Sequence, residues 1–469
     1  MLKNQDPSLY NEDLAPIPES KRTWGWFEIF NVWSNDIQSL FGYTLAASLF
    51  LSFGLGGWTV FAAIMTAGLF IMLLVNLMGE PSVKYGIPFP VMARSSMGVR
   101  GANFPAIVRA IVAIFWYGAQ TYFASTAVSL LISSFMGGNG EAVFLQMSSI
   151  DWISFLSVWL FQIWLFWNGI DWITKFLNLA GPFVYVTMIA LALVIWGKAG
   201  DGLILEMGTI FEGTGDYDGG AISAYFAIVG TMIAYFAAVV INYGDFSRNV
   251  KTQGDMKKGN LIGLPINIAF FSLIALVITA GTMSIWGEAI TNPTDIVARV
   301  DSLPLTLVAA IMFFAATVGI NLVANFIPPA YDLANLMPSK IDFRIGGLIT
   351  SAFALVIGGL WVSTISQLGM FGFVNTLGAI LAPVYGIMIV DYYMLKGGVL
   401  NVEELFSADE DGEYYYDNGW NKKAMIAFIL PAIFSVATVW VSALGFLSGF
   451  SWVIGALLGG GLYYVITKK

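Results

Sequence analysis

Twelve times between Phe27 and the C-terminus, this sequence offers a predominantly apolar run about as long as a bilayer is thick. A helix needs roughly 20 such residues to cross a hydrocarbon core. The runs fall at approximately 27–52, 55–79, 104–135, 150–168, 171–198, 221–243, 258–284, 303–327, 345–362, 369–395, 423–446 and 448–466. Inside a bilayer the backbone must satisfy its own polar groups, so such runs are helices. The expected fold class is an all-α polytopic membrane protein of about 12 transmembrane helices. Composition agrees, since 11% charged and 58% hydrophobic residues in a chain of 469 leave too little charge to cover a soluble surface.

The start, Met1 to Glu28, is polar and carries Pro16, Pro18, Lys21 and Arg22. It lacks the basic stretch and short apolar core of a cleavable signal, and is expected to be a cytoplasmic tail. With the N-terminus inside, 18 of the 21 basic residues fall on cytoplasmic segments, from Lys3 to Lys469. Only Lys198 and Arg299 fall opposite, and Arg109 lies within the third span. The bias predicts a multi-pass protein of the cytoplasmic membrane with both termini cytoplasmic. The net charge of −9 comes from acidic loops such as Asp201–Asp218 and Glu403–Asp417. It implies no nucleic-acid partner.

Cysteine and histidine are both missing. Disulfides, thiol nucleophiles, histidine bases and the usual zinc and haem ligand sets are thereby excluded. No nucleotide-binding loop is present, which removes an ATP-driven pump. An enzyme and a cofactor are not expected. The expected partners are a small molecule and the lipid bilayer, with the chain a monomer or weak oligomer.

Transport folds with a midplane site use discontinuous helices whose unwound backbone faces the cargo. The first span carries Asn31, Ser34, Asn35, Asp36, Gln38 and Ser39 within nine residues. Facing lipid, these would be costly, so they should line a cavity at a break. In the sixth span, Gly230 is expected to interrupt the helix, with Tyr235 and Phe236 following and a polar exit from Asn242 to Arg248. Unusual spans five helices apart suggest a 5+5 inverted repeat. The domains are then a tail at 1–26, a first repeat at 27–198, a second at 199–395, and a loop with two peripheral C-terminal helices at 396–469.

Trp116 and Gln120 in the third span are four residues apart and share a helical face. An indole can stack on a flat ring while a carboxamide pairs with its N–H and C=O groups. Helix packing is the competing role for both. Asn321 and Asn325 repeat the spacing in the eighth span, as a binding edge or as glue between helices. A pocket of amides without fixed positive charge suits a neutral heterocycle. Asp36, with Asn35 beside it, is the candidate coupling-ion site, since an intramembrane carboxylate is a functional candidate by default.

Several runs resemble the nucleobase–cation symporter family of allantoin, uracil, cytosine and hydantoin permeases. They are Asn11-Glu12-Asp13-Leu14, Arg22-Thr23-Trp24, Lys84 to Val91, Arg94 to Asn103, and Phe115 to Thr121. Asp245-Phe246-Ser247-Arg248, Asn325 to Asp332, and Ala382 to Tyr393 complete the set in order. The nearest branch looks like bacterial allantoin permeases and fungal allantoin and uracil transporters. The resemblance implies a leucine-transporter-like fold of two inverted five-helix repeats plus two helices. It places substrate on Trp116, Gln120 and Asn325, with Asn321 nearby, an aromatic plate on Phe236, and a first-span contact on Ser39 with Gln38 adjacent.

The resemblance also marks a departure. Sodium-dependent members carry a serine–threonine pair just before the eighth-span asparagine, where this chain has Gly319 and Ile320. Hard cations need oxygen donors, so this loss weakens a sodium site. Asp36 stands where proton-coupled relatives carry an aspartate. The expected function is secondary active import of a nucleobase or related heterocycle, with protons favoured over sodium as the coupling ion. The alternatives are an amino-acid carrier of the same fold and an uncoupled facilitator.

Overall fold

The computed structural model describes residues 5–216 and 219–468. Lys3, Asp218 and Lys469 lie outside the described residues. The first span is two helices, α1 (Trp26–Ile37) and α2 (Leu40–Ser52). The break falls at Gln38 and Ser39, inside the polar run. Ser39 is extended there (φ −63°, ψ 157°), and its hydroxyl accepts a hydrogen bond from Gly42 N, capping α2. Thr317 Oγ1 takes the next free donor, Leu40 N, at 3.1 Å. The new N-terminus of α2 thus finds side-chain partners, and at the end of α1 the carbonyl of Asp36 accepts from Tyr235 OH at 3.3 Å, as a break inside a membrane requires.

The first five spans continue with α3 (Gly57–Tyr85), a short α4 (Phe89–Met97), α5 (Asn103–Met136), α6 (Ser149–Trp167) and α7 (Ile170–Ala199). A small hairpin, β1 (Ala142–Phe144) with β2 (Met147–Ser148), joins α5 to α6. The next five begin with α8 (Gly202–Glu212) leading into α9 (Ala221–Ile241) and α10 (Gly244–Ser247). The seventh span is α11 (Gln253–Leu261) and α12 (Asn267–Trp286), joined by a π-helical turn. After α13 (Pro293–Val300), the eighth is α14 (Leu303–Ile320) and α15 (Ile327–Leu336), again across a π-helical turn, Asn321–Phe326. The ninth is α16 (Phe343–Gly359), and the tenth is α17 (Met370–Ile389) with a third such turn, Val390–Leu395. The last two are α18 (Lys422–Trp440) and α19 (Ser451–Lys468).

Among the described residues, 10 helical stretches are long and apolar enough to cross a membrane, and α2 and α16 are shorter apolar helices. Counting the broken first span and α16, the twelve expected crossings are present. The eleventh is shorter than expected, because it ends at Trp440 and the chain turns irregularly through Ser442–Phe450.

The sixth span is not interrupted. α9 is helical from Ala221 to Ile241, straight through Gly230. A side chain at Gly230 would overlap the carbonyl of Gly449, so this glycine admits a close approach by the Ser442–Phe450 segment. The irregular helices are instead the seventh, eighth and tenth, and proline explains two of them. Pro265 lies inside the π-helical turn of the seventh span. In the eighth, Pro328 and Pro329 have no N–H, so the carbonyls four residues earlier, on Ala324 and Asn325, lose their helical donors.

α1 packs between α7, α11 and α14, while α5 packs on α6, α14, α15 and α16. α9 packs with α3 and α17, and α19 covers α17. The cavity of interest lies where α1, α5, α9 and the eighth span converge.

The N-terminal segment is not a loose tail. Leu9, Leu14 and Trp24 are buried. Asp6 N donates to Phe406 O, Ile17 N to Gly86 O and Trp24 N to Asn249 O. Asp13 Oδ2 accepts from Phe343 N at 2.9 Å, capping α16. Arg248 donates to the carbonyls of Asp13 and Ala15, and Arg22 to those of Ile17 and Val83. Burial pulls the Arg22 pKa down, opposed by the nearby Glu19.

Candidate functional site

Asp36, Trp116, Gln120, Tyr235, Ala238, Val239, Ile320, Ala324 and Asn325 surround a cavity of about 20 Å³. That volume holds about one water molecule and no ring. Larger hollows lie elsewhere. A groove of about 560 Å³ between α3, α9, α17 and α19 is walled by side chains such as Phe70, Ile233 and Leu457 and lacks convergent polar groups. Chemistry therefore points to the small cavity, which has aromatic walls, two carboxamides and one carboxylate.

Trp116 and Gln120 come from α5, one turn apart, and both are buried. Gln120 Oε1 is buried without a hydrogen-bond partner among the described residues, leaving an acceptor that a ligand N–H would satisfy. Asn325 faces the cavity from the π-helical turn, and its Nδ2 donates to Asn321 Oδ1 at 3.0 Å. The wider turn carries Asn325 inward where a regular helix would place it differently.

Asn321 does not line the cavity. Its Nδ2 is spent on Tyr117 O (3.1 Å), Thr121 Oγ1 (3.1 Å) and Gln162 Oε1 (2.8 Å). Gln162 in α6 also donates to Thr121 Oγ1 at 3.0 Å. Asn321 is thus a hub joining three spans, with Asn325 as its outward arm. Sequence reasoning missed Gln162 and Thr121. A glutamine within the apolar second half of α6, the fourth span, is the available signal, since such a group must find partners.

The expected aromatic plate, Phe236, does not line the cavity; the sixth-span ring in its wall is Tyr235. One residue turns a helix by about 100°. That rotation sends Tyr235 to the cavity and Phe236 away, edge-on to Trp33 at 6.0 Å. Tyr235 OH donates to Asp36 Oδ1 at 3.0 Å and lies 3.5 Å from Ser39 Oγ. Trp116 meets the Tyr235 ring edge-on at 5.6 Å. A tyrosine at this place supplies a ring face and a hydroxyl that holds the carboxylate.

Ser39 and Gln38 also fall outside the cavity wall. Ser39 is occupied capping α2, and Gln38 Nε2 points to Asn267 Oδ1 at 3.3 Å. Tyr185 OH reaches the same Asn267 oxygen at 2.6 Å and pairs with Ser34 at 3.2 Å. The far half of the polar run is therefore bound up with α7 and α12.

Asn35 lies behind the cavity. Its Nδ2 donates to Asn31 O at 2.7 Å, and its Oδ1 is buried without a partner among the described residues. A Cβ added to Gly319 would lie 2.7 Å from that oxygen. The carboxamide of Asn35 thus fills the space a side chain at 319 would need.

Two barriers close the cavity. On the face opposite the N-terminal segment, Phe41, Trp116, Phe123, Tyr235, Trp361 and Phe373 form one aromatic cluster. Trp116 contacts Phe41 and Phe373 edge-on, each at 5.0 Å, and Phe41 stacks on Tyr235 at 5.9 Å. Such pairs contribute about 0.5–1.5 kcal/mol each beyond area burial. Toward the N-terminal segment lies Arg109, fully buried, with Asn242, Asp245 and Asp332.

Residues 16–466 match the family described as permeases for cytosine/purines, uracil, thiamine and allantoin. An allantoin permease of Bacillus subtilis (strain 168) is 33% identical over 475 residues, covering 100% of this chain and 94% of that protein. A purine-uracil permease of Arabidopsis thaliana is 31% identical, covering 91% of this chain and 71% of that one. Among solved structures, a nucleobase-cation-symport-1 family transporter, closed with bromovinylhydantoin bound, superposes with a TM-score of 0.80. It is 22% identical, covering 98% of this chain and 96% of that one. A sodium-coupled sialic acid symporter superposes with a TM-score of 0.68 at 13% identity, covering 96% and 90%. These likenesses show the fold, that of the leucine-transporter-like carriers.

Proposed function

The chain belongs to the family of permeases for cytosine/purines, uracil, thiamine and allantoin, and on that footing we propose that it is a secondary active transporter importing a neutral heterocycle of the allantoin, uracil or hydantoin class, driven by protons. The observation that carries this reading is the cavity itself. Trp116 and Tyr235 offer ring faces, Gln120 and Asn325 offer amide edges, and Asp36 is the one carboxylate in the wall. Among the described residues no basic side chain lines it, so an organic anion or an amino-acid carboxylate would lack a partner.

Stacking and edge pairing hold the ring, with Gln120 Oε1 accepting from a ring N–H. At about 20 Å³ the site must widen to load, and Trp116, Tyr235 and Phe373 are the groups that part on the aromatic side. Asp36 carries the coupling proton, released when the site opens to the other face. The working membrane is the cytoplasmic one, with both termini on its inner side, as the basic-residue bias supports.

Sodium is the second reading, favoured by one observation. Asn35 Oδ1, buried and unpartnered among the described residues, places an oxygen next to Gly319, where sodium-dependent relatives are expected to carry a hydroxyl. Uptake of allantoin, uracil, hydantoin and amino acids into proteoliposomes separates the readings. Replacing sodium with choline is expected to leave uptake unchanged. An uncoupler, or Asp36→Asn, is expected to abolish accumulation against a gradient. Uptake that fails in choline would overturn the proton assignment, and uptake of amino acids alone would overturn the substrate class.

A further inference from the structure

From the geometry around Arg109 we infer that this arginine is the positioning residue of the substrate site, which sets the amide wall and closes the cavity toward the N-terminal face. The inference rests on the cavity being the substrate site.

Arg109 is wholly buried in α5, seven residues before Trp116. A buried guanidinium costs several kcal/mol unless its donors are matched. Its Nη2 donates to Ala324 O at 2.8 Å and to Asn242 Oδ1 at 2.7 Å. Its Nε donates to Ala238 O at 3.2 Å and to Asn242 Oδ1 at 3.1 Å. Ala324 and Ala238 are both cavity-wall residues, on the eighth span and on α9. One side chain therefore ties together the two walls that carry Asn325 and Tyr235.

The sequence explains why the tie is needed at Ala324. Its carbonyl would accept from the N–H of residue 328 in a regular helix, or 329 in a π-helical turn. Both are prolines without that hydrogen. Arg109 supplies the donor that the two prolines remove, one residue before Asn325. The amide that reads the substrate is therefore placed by a guanidinium that never touches it.

The charge is balanced without being fixed. Asp245 and Asp332 are the carboxylates that act on Arg109. Asp245 is occupied, accepting from Phe89 N at 2.8 Å and from Asn242 at 3.3 Å. Both oxygens of Asp332, and Nη1 of Arg109, are buried and unpartnered among the described residues. Asp332 is thus an unused acceptor to which the guanidinium transfers when the walls separate and the cargo leaves.

Two measurements on the full chain test this. The first is binding of radiolabelled allantoin to purified variants. One charge-assisted bond to a carbonyl is worth about 1.5–3 kcal/mol, so Arg109→Gln should weaken binding about tenfold or more. Arg109→Lys, which keeps the charge but loses the forked geometry, should weaken it less. Pro328→Ala gives the Ala324 carbonyl a backbone donor and should recover most of the loss in Arg109→Gln. A purely structural role would show no such rescue. The second uses the absence of native cysteine. Val239→Cys in the cavity wall should react with a membrane-impermeant maleimide from the N-terminal face about tenfold faster when Arg109 is glutamine. Unchanged labelling and affinity in a folded Arg109→Gln protein, or no rescue by Pro328→Ala, would overturn the inference. If Arg109→Gln does not fold, Arg109→Lys carries both measurements. If the unaltered protein binds none of allantoin, uracil and hydantoin, the substrate assignment fails, and the labelling alone decides the role of Arg109.

Discussion

Asn321 and Asn325 are chemically identical and one helical turn apart, yet they should fail in opposite ways. Asn321→Leu keeps the volume and removes the hub. Two groups are stranded, Gln162 Oε1 and Asn325 Nδ2. A stranded buried group costs about 1–3 kcal/mol. Bonds between membrane helices average about 0.6 kcal/mol and reach about 1.7. The total is then about 1–3.5 kcal/mol, and at about 2 °C per kcal/mol the melting temperature should fall by about 2–7 °C. Substrate affinity should fall less, because Asn325 loses only its anchor. Fixing one free side chain costs about 0.5–1.5 kcal/mol, which is about a two- to twelvefold rise in Kd. Asn325→Leu should do the reverse. It strands the ring edge that the amide reads, at about 1–3 kcal/mol for each of two groups, so Kd should rise at least about thirtyfold. Its melting temperature should fall about half as far, because one buried group, Asn321 Oδ1, is stranded rather than two. Adding Gln162→Leu to Asn321→Leu removes one stranded oxygen and should return part of the lost stability. The assay is a paired measurement of melting temperature and ligand affinity on the same purified samples. If Asn321→Leu loses affinity as heavily as Asn325→Leu while melting normally, then Asn321 reaches the substrate and the hub is wrong.

Tyr235→Phe removes the hydroxyl that holds Asp36 and should lower the initial uptake rate at least about tenfold, the cost of a bond to a charged group, whereas Phe236→Leu should stay within about threefold, as expected of packing one side removed. Equal losses in initial-rate measurements would mean that both rings face the cargo. Gly319→Ser should destabilise the protein, because its Cβ would sit 2.7 Å from Asn35 Oδ1. Adding Asn35→Ala should restore the melting temperature, and sodium-stimulated uptake in that double variant alone would support the proton reading of the native pair.

Much of the fold was legible because a bilayer enforces it. Length and apolarity alone located the twelve spans, and the run from Asn31 to Ser39 located the break in the first. The trio of Trp116, Gln120 and Asn325 was legible too, and the structure brings them to one cavity with Asp36. Finer register was not. Choosing between Tyr235 and Phe236 requires knowing where a helix faces to within about 100°, which two adjacent aromatics do not reveal. Gly230 looked like a break because glycine disfavours helices. It proved to be a point of close approach, a property of the segment opposite. Asn321 and Gln38 were assigned to the cavity by spacing and proximity, but their partners, Gln162 and Asn267, lie on other helices and leave no mark near them in the chain. The π-helical turn at Asn321–Phe326 had a readable cause in Pro328 and Pro329, although nothing local shows that Arg109 completes it.

The N-terminal segment sets an order of events for the making of this protein. It is translated first, yet its anchors come late. Asp13 waits for Arg248, 235 residues on, and for Phe343, 330 residues on. At about 5–20 residues per second, the second wait lasts roughly 15–65 s. Through that time the Asp13 carboxylate lacks the Phe343 N–H from which it accepts. The strap can close only over a bundle that is already inserted, and Asp6 reaches Phe406 later still. Protection of residues 5–25 from protease should therefore appear as the last step of biogenesis, a mark by which a finished molecule is told from an unfinished one.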